Sequence, residues 1–319
     1  MKTTALMVLT GAIALSGCSK DSFSDKPLTA GEISFESGIL TKGGPVTGTQ
    51  FTNGTTVGVY TLENPDGTPI WTDATNDGVN NLLMDNIECT ANGSGGLTYG
   101  PAKLYKTNAK YSFFAYYPYT SSITGPSAGQ SPKLACTFKT TPLEQVDYMY
   151  ATPLENQDPT DNAKVLKFNH ALTQITVKVV NGTEKAITLN SLKVKAPSGA
   201  TLNISSGVWS SPGGEATYNL YAPTTPQSIA VSSSFSIPQQ LMLLPVDNGG
   251  AAYKFDMNVT EEGSSSATDK ANQTLILPSG GMKAGYSYEY TITYGSSSIQ
   301  LSTSVVEWQH VSGPGITIK

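Results

Sequence analysis

Few side chains in this sequence have the types and spacing that catalysis requires. Among 319 residues there are two histidines, His170 and His310, and neither has a second histidine or a cysteine at short spacing. His170 stands at the predicted start of a strand, where we expect a structural hydrogen bond. The serines lack a nearby histidine and acid in any suggestive order, and no phosphate-cradling glycine loop is followed by Lys-Ser or Lys-Thr. We therefore predict no enzyme, no catalytic residue and no cofactor, although folding alone could still bring two carboxylates together in a cleft.

One acidic segment has part of the pattern of a metal site. Asp73-Ala74-Thr75-Asn76-Asp77-Gly78 matches the first half of a calcium-binding loop. The twelfth position of that loop is Met84, where calcium requires a bidentate Glu. We expect an ordinary Asp/Asn turn and no metal.

Cys18 is the residue for which the sequence predicts covalent chemistry. A basic start at Lys2 and a short apolar run lead to Leu15-Ser16-Gly17-Cys18. This ending resembles a bacterial lipobox, which implies a signal peptide over residues 1–17 and lipidation of the Cys18 sulfur. The polar residues 18–30 then form a tether to the membrane. The alternative is an ordinary signal peptide that is cut nearby, with Cys18 incidental.

Two further cysteines, Cys89 and Cys136, follow in the exported part of the chain. An oxidising compartment would allow them to pair. They could equally be two buried thiols, because cysteine packs well as a small apolar residue. The sequence leaves both states open.

Composition excludes one large class of partners. Only 13% of the residues are charged, the net charge is -5, and all 19 basic residues are lysines. Nucleic-acid binding relies on basic patches and on the planar fork of arginine, so we expect no nucleic-acid partner. Abundant Gly, Pro, Ser, Thr, Asn and Tyr favour short strands that are joined by turns.

Alternation places the first strand early in the mature chain. Ile33, Phe35, Ser37 and Ile39 alternate with the residues between them, which predicts a half-buried strand over residues 32–40. Gly and Pro then make an exposed loop with Lys42 near its tip, well suited to a protease. A segment rich in Pro, Asn and Asp follows much later, and it predicts two domains, 31–160 and 161–319. Regular short strands in both predict an all-β protein of two tandem sandwiches.

Several segments together resemble the fimbrillin family, the lipoprotein-derived pilins of Gram-negative anaerobes. They occur in a shared order over most of the mature chain: Cys18, Ile33 and Phe35, Thr41-Lys42, Phe51 to Tyr60, Tyr111 to Tyr119, Asp147 to Ala151, Phe168 to Leu172, Ser206 to Trp209, Leu243 to Pro245, Ala284 to Ile292, and Trp308.

The resemblance implies a fold and a mode of assembly. The fold is two transthyretin-like β-sandwiches with Greek-key-type connections. In the family, a trypsin-like protease removes the first strand of an outer-membrane lipoprotein, and a C-terminal strand of a neighbouring subunit replaces it. Here this implies cleavage at Lys42 and a removable strand with Ile33, Phe35 and Ile39. The candidate donor strand contains Ile299, Leu301, Thr303 and Val305.

The implied partners are other fimbrial subunits, the outer membrane through the lipid, and a ligand on a host or bacterial surface. The resemblance leaves open whether the subunit belongs to a stalk, a tip or an anchor. The alternative is a monomeric surface lipoprotein that binds a glycan or a host protein. Four aromatic side chains could stack on a sugar, although packing is the ordinary role of such residues: Trp71, Tyr99, Trp209 and Trp308.

Overall fold

The protein is described by a computed structural model that covers residues 31–40, 50–64, 69–71, 81–106, 108–247, 250, 252–295 and 298–306. These residues form strands and one short 3₁₀ turn, Pro142–Glu144, which confirms the predicted all-β class. Within them, no helix has the length and apolar character needed to cross a membrane.

The strands are β1 (Phe35–Leu40), β2 (Thr56–Asn64), β3 (Asn81–Ala91), β4 (Gly96–Thr98), β5 (Lys110–Tyr117), β6 (Lys133–Thr137), β7 (Met149–Ala151), β8 (Leu154–Gln157), β9 (Lys164–His170), β10 (Thr173–Asn181), β11 (Ile187–Pro197), β12 (Gly199–Asn203), β13 (Trp209–Ser210), β14 (Glu215–Tyr221), β15 (Gln227–Ile229), β16 (Ser234–Ser236), β17 (Leu241–Leu243), β18 (Lys254–Glu261), β19 (Thr268–Thr274), β20 (Ser287–Tyr294) and β21 (Ile299–Val306).

The first sheet has eight strands in the order β2-β3-β4-β1-β9-β7-β5-β8. Strand β2 also pairs with β5, so seven of these strands close into a ring of pairings around one apolar core. Strand β1 lies inside this order, between β4 and β9.

Strand β5 supplies side chains to both faces of this sheet. Its two pairs of adjacent aromatic residues, Phe113-Phe114 and Tyr116-Tyr117, predict this arrangement. Phe113 and Tyr117 enter the core inside the ring. Phe114 and Tyr116 point the other way, into a larger core that is shared with the second half of the chain. Successive side chains of a strand alternate between faces, and both faces of β5 are therefore buried.

The second half consists mainly of two sheets, with strand orders β16-β10-β20-β21 and β14-β11-β18-β19. Strand β10 runs parallel to β20, and β21 pairs antiparallel with β20. Inward residues of both sheets fill the larger core, as in a sandwich.

The two halves are joined by hydrogen bonds between strands as well as by the chain itself. Strand β6 of the first half pairs with β12 of the second over five residue pairs. Strand β9 belongs by its pairing to the first sheet, although the predicted boundary at residue 160 assigned it to the second half. The division of the chain into two domains, and their transthyretin-like topology, stay predictions.

Candidate functional site

Strand β1 is hydrogen-bonded along both edges. It runs parallel to β9 over six residue pairs, from Phe35 opposite Lys164 to Leu40 opposite Asn169. On its other edge it pairs antiparallel with β4, where Phe35 lies opposite Leu97. Taking β1 away would leave two strands with unpaired facing edges, which is the arrangement that recruits another strand.

The predicted inward residues of this segment are buried. Ile33 is 0% exposed, Phe35 2% and Ile39 8%, and all three belong to the core inside the ring. The Phe35 ring lies 5.6 Å from that of Phe113 in an edge-on arrangement and 5.9 Å from that of Tyr99. Removal of this strand would expose these three side chains to water.

The fourth inward residue is Ser37, which the alternation of this segment places on the same face as Ile33, Phe35 and Ile39. Its side chain is 6% exposed, and its hydroxyl donates to the Gly95 carbonyl oxygen at 3.2 Å. The Ser37 backbone N–H donates to the same oxygen at 2.7 Å.

Residues 99–105 form hydrogen bonds with the backbone of residues 31–33, which lie just before β1. The Ile33 N–H donates to the Lys103 carbonyl at 2.9 Å, and the Tyr105 N–H donates to the Gly31 carbonyl at 2.7 Å. The Tyr99 hydroxyl donates to the Ile33 carbonyl at 2.6 Å. Burial raises the pKa of Tyr99 to about 12, so this hydroxyl keeps its proton at a pH of about 10, where an exposed tyrosine begins to ionise. We call residues 99–105 the clasp.

The candidate donor residues lie in β21, at the edge of a sheet in the second half. Strand β21 pairs with β20 over eight residues, from Ile299 opposite Tyr294 to Val306 opposite Ser287. Ile299 and Leu301 are half-buried against the larger core, and Val305 is 57% exposed. Within one molecule, β21 and β1 thus belong to different sheets.

Two of the predicted functional residues, Cys18 and Lys42, lie outside the described residues, and so do Trp308, His310 and the loop Asp73–Gly78. Cys89 and Cys136 are buried and unbonded, and they lie in different cores. Burial raises the pKa of each thiol to about 12, which keeps both protonated and unreactive.

The other candidates have structural roles. His170 Nδ1 lies 2.6 Å from a carboxylate oxygen of Asp147, which is the hydrogen bond expected for that histidine. Trp71 is buried, and Trp209 packs edge-on against Phe138 while its indole N–H donates to the Ala171 carbonyl. The described part of the chain contains no group of three His, Cys, Asp or Glu residues that could hold a metal ion.

Comparisons with known proteins agree with this architecture. A family model described as fimbrillin-like matches residues 45–308. Fim1C of Bacteroides uniformis, provisionally described as a fimbrium subunit, is 26% identical over 99% of both chains. A crystal structure of a fimbrial protein from Bacteroides vulgatus superposes with a TM-score of 0.62, at 17% identity, over 86% of this chain and 99% of that chain.

A second solved structure has the same fold. It is a provisionally assigned cell adhesion protein from Bacteroides ovatus, with a TM-score of 0.54 and 15% identity over 88% of this chain and 99% of that chain. The family model spans well over half of the sequence, and its match runs through both halves of the chain. The chain belongs to the fimbrillin-like family.

Proposed function

We propose that this protein is a structural subunit of a cell-surface fimbria that contributes to adhesion. It is exported as a lipoprotein precursor, anchored in the outer membrane through Cys18, and assembled with other subunits by strand exchange. Cleavage at Lys42 releases β1, and a strand from a neighbouring subunit fills the space that β1 leaves.

The enclosed position of β1 is the observation that carries this proposal. Its replacement is favoured for two reasons: unpaired edges on β4 and β9, and exposed apolar surface in the ring core. Burying a side chain such as Ile33, Phe35 or Ile39 contributes roughly 1.5–3 kcal/mol each. A cut at Lys42 separates β1 from β2 without breaking any strand that the structure describes.

Limited digestion of the purified precursor with trypsin tests this function. We expect cleavage at Lys42, loss of the N-terminal fragment and growth of a ladder of multimers on a gel. The variant Lys42→Gln should stay intact at this loop and monomeric. Lys26→Gln is the matched control, because a cut at Lys26 precedes β1 and leaves the strand attached to the rest of the chain.

The reactivity of the two buried thiols measures, in the same experiment, whether β1 has left the sheet. Cys89 lies in the core that contains Ile33 and Phe35, whereas Cys136 lies in the other core. Release of β1 should make Cys89 reactive toward a thiol reagent while Cys136 stays protected, and a filled site should protect Cys89 again. A cleaved chain that stays monomeric, with saturable sugar binding, would support the monomeric surface lipoprotein instead.

A further inference from the structure

The outer face of the sheet β14-β11-β18-β19 carries a cleft of about 300 Å³ over strands β11, β18 and β19. This volume lies at the lower end of the range for small-molecule sites, which is about 300–1,000 Å³. Lys270 lines the cleft but lies opposite the buried Met257, so its side chain projects from the other face of the sheet. The side chains that the outer face brings to the cleft are polar or charged: Ser191, Lys193, Asp256, Asn258 and Asp269.

Two β-bulges shape this cleft, one on each side of β18. Asn190 is an extra residue in β11, at a shift in its register with β18. In β19, Ala271 and Asn272 together lie opposite Asp256 of β18, and Asn272 has a positive φ of 53°. Bulges bend a strand and redirect its side chains, and they occur often beside functional sites. The two bulges therefore make an otherwise regular sheet face concave along β18.

Hydrogen bonds from the bulged residues orient the side chains of the cleft. Asn190 Nδ2 donates to Asn258 Oδ1 at 2.7 Å, and Asn258 Nδ2 donates to Asp269 Oδ1. The Asn272 backbone N–H donates to Asp256 Oδ1 at 2.7 Å. Polar groups that are already oriented lose less conformational entropy when a ligand binds. The cleft is thus prepared for a ligand before the ligand arrives.

The charges in and beside the cleft balance. Asp256 Oδ2 lies 2.9 Å from the ammonium of Lys195. Partial burial alone would raise the pKa of Asp256, but the Asn272 N–H and the Lys195 ammonium hold it below its usual value. The other charged pair is Lys193 and Asp269, which are also of opposite sign. A ligand without a net charge therefore fits this cleft best.

Several hydrogen-bonding groups of the cleft are available to a ligand. Within the described residues, the Lys193 ammonium and the Ser191 hydroxyl make no hydrogen bond or ion pair, and Asp269 Oδ2 accepts no hydrogen bond. Asn258 Nδ2 carries a second hydrogen besides the one that it donates to Asp269. Donors and an acceptor thus lie side by side, and this combination suits hydroxyl groups, because each hydroxyl both donates and accepts.

We infer that this cleft binds a neutral saccharide. One sugar hydroxyl donates to Asp269 Oδ2 and accepts from Asn258 Nδ2, and a further hydroxyl of the same saccharide accepts from the Lys193 ammonium. The inference rests on the adhesive role proposed above, and it adds the site and the chemical class of the ligand.

The cleft lies apart from the strands that the proposed assembly rearranges. The groove that β1 fills between β4 and β9 belongs to the first sheet, and β21 belongs to the sheet β16-β10-β20-β21. The cleft is built on β11, β18 and β19, so cleavage and strand exchange leave its residues in place. Each subunit of a fimbria then presents one copy, and many linked weak sites hold a saccharide-covered surface much more firmly than one site does.

Saturation-transfer NMR on the uncleaved precursor tests this inference. The probes are the methyl glycosides of glucose, galactose, mannose, fucose and N-acetylglucosamine, with glucuronic acid and glucosamine as charged counterparts. We expect saturable binding of at least one neutral glycoside, and neither charged counterpart should bind more tightly than that glycoside. Tighter binding of a charged counterpart would overturn the neutral class of ligand.

Substitution of Asp269 tests whether binding occurs in this cleft. Asp269→Ala should weaken the binding at least about tenfold, because it removes the acceptor of a charge-assisted hydrogen bond. The side chain is exposed, so we expect the variant to fold, and an unchanged thermal denaturation midpoint verifies this. Asp247→Ala is the matched control, since Asp247 is also exposed in the second half but does not line the cleft. Its affinity should stay within about twofold of the parent.

The outcomes separate this inference from the proposed function. If the precursor binds none of the neutral glycosides, or if Asp269→Ala binds them as the parent does, the saccharide site is overturned. Multimers formed by the same protein after trypsin treatment would then leave fimbrial assembly standing. Saturable binding that depends on Asp269, in a protein that trypsin cleaves without forming multimers, supports the site and overturns assembly by strand exchange.

Discussion

Phe35 is the largest side chain that the first strand places in the ring core. It contacts aromatic rings from two different elements, Phe113 on β5 and Tyr99 in the clasp. Its strand neighbour Glu36 lies on the other face and is half-buried. Phe35 therefore contributes more than Glu36 to the free energy that holds β1 in the sheet.

We predict that Phe35→Ala lowers the free energy of unfolding of the intact precursor by about 3–5 kcal/mol, because it leaves a cavity in a packed core. Glu36→Ala should change it by less than about 0.5 kcal/mol, as is usual for a substitution away from the core. Urea denaturation followed by tyrosine fluorescence measures both. Equal denaturation midpoints for the two variants would show that the Phe35 ring does not anchor the strand.

At the scale of the strand, Gly38 in β1 has free space where other residues carry a side chain. A Cβ built at this position would have no heavy atom within 4 Å. Glycine in the middle of a strand loses more conformational entropy on folding than other residues do. Gly38 thus weakens the hold of the sheet on a strand that the proposed function requires to leave.

Gly38→Val should stabilise the precursor by about 0.5–1 kcal/mol and slow release of β1 after cleavage, because valine favours the extended conformation in the free chain. The rate at which Cys89 becomes reactive after trypsin treatment measures release. Gly54→Val is a contrasting control, since Gly54 has a φ of 85° and a side chain there is strained. Release of Gly38→Val at the parent rate would argue against this role for the glycine.

At the scale of the whole molecule, one core connects the two halves. Trp71, Phe114 and Leu134 of the first half pack in the same cluster as Leu202 and Tyr218 of the second. Strand β5 contributes to both this core and the ring core, so it lies between the groove and the second half. We expect the halves to unfold together rather than independently.

Buried and half-buried tyrosines of the larger core predict a loss of stability in alkali. Burial raises the pKa of Tyr116, Tyr148, Tyr218 and Tyr290 to about 12 each. An unfolded tyrosine ionises near pH 10, so the folded state keeps protons that the unfolded state releases. The resulting stabilisation is complete below about pH 10 and is lost as the pH rises toward 12.

Urea midpoints measured from about pH 8 to pH 11, with tyrosinate absorbance recorded in parallel, check this expectation. The midpoint should be nearly constant at first and then fall steeply above about pH 10. The denatured chain serves as the reference, since its tyrosines should ionise near pH 10. A native protein whose tyrosines all titrate with those of the denatured chain would contradict the burial of these hydroxyls.

Local patterns in the sequence predicted the first strand and its inward residues, but no such pattern predicted strand β3. The alternation of Ile33, Phe35 and Ile39 depends on a two-residue period that holds wherever the strand is placed. The adjacent aromatic pairs Phe113-Phe114 and Tyr116-Tyr117 of β5 are an equally local pattern, and they place a ring on each face of the strand. Family membership was also readable from the sequence, because its motifs keep their order along the chain.

Only the tertiary structure decided which segments meet. The parallel pairing of β1 with β9, more than 120 residues later, cannot be read from either strand alone. The same is true of the clasp, of the Gly95 carbonyl beside Ser37, and of the pairing of β6 with β12. Side-chain periodicity is a local property of the backbone, whereas pairing between distant strands depends on the packing of the entire chain, and the groove exists only as a product of that packing.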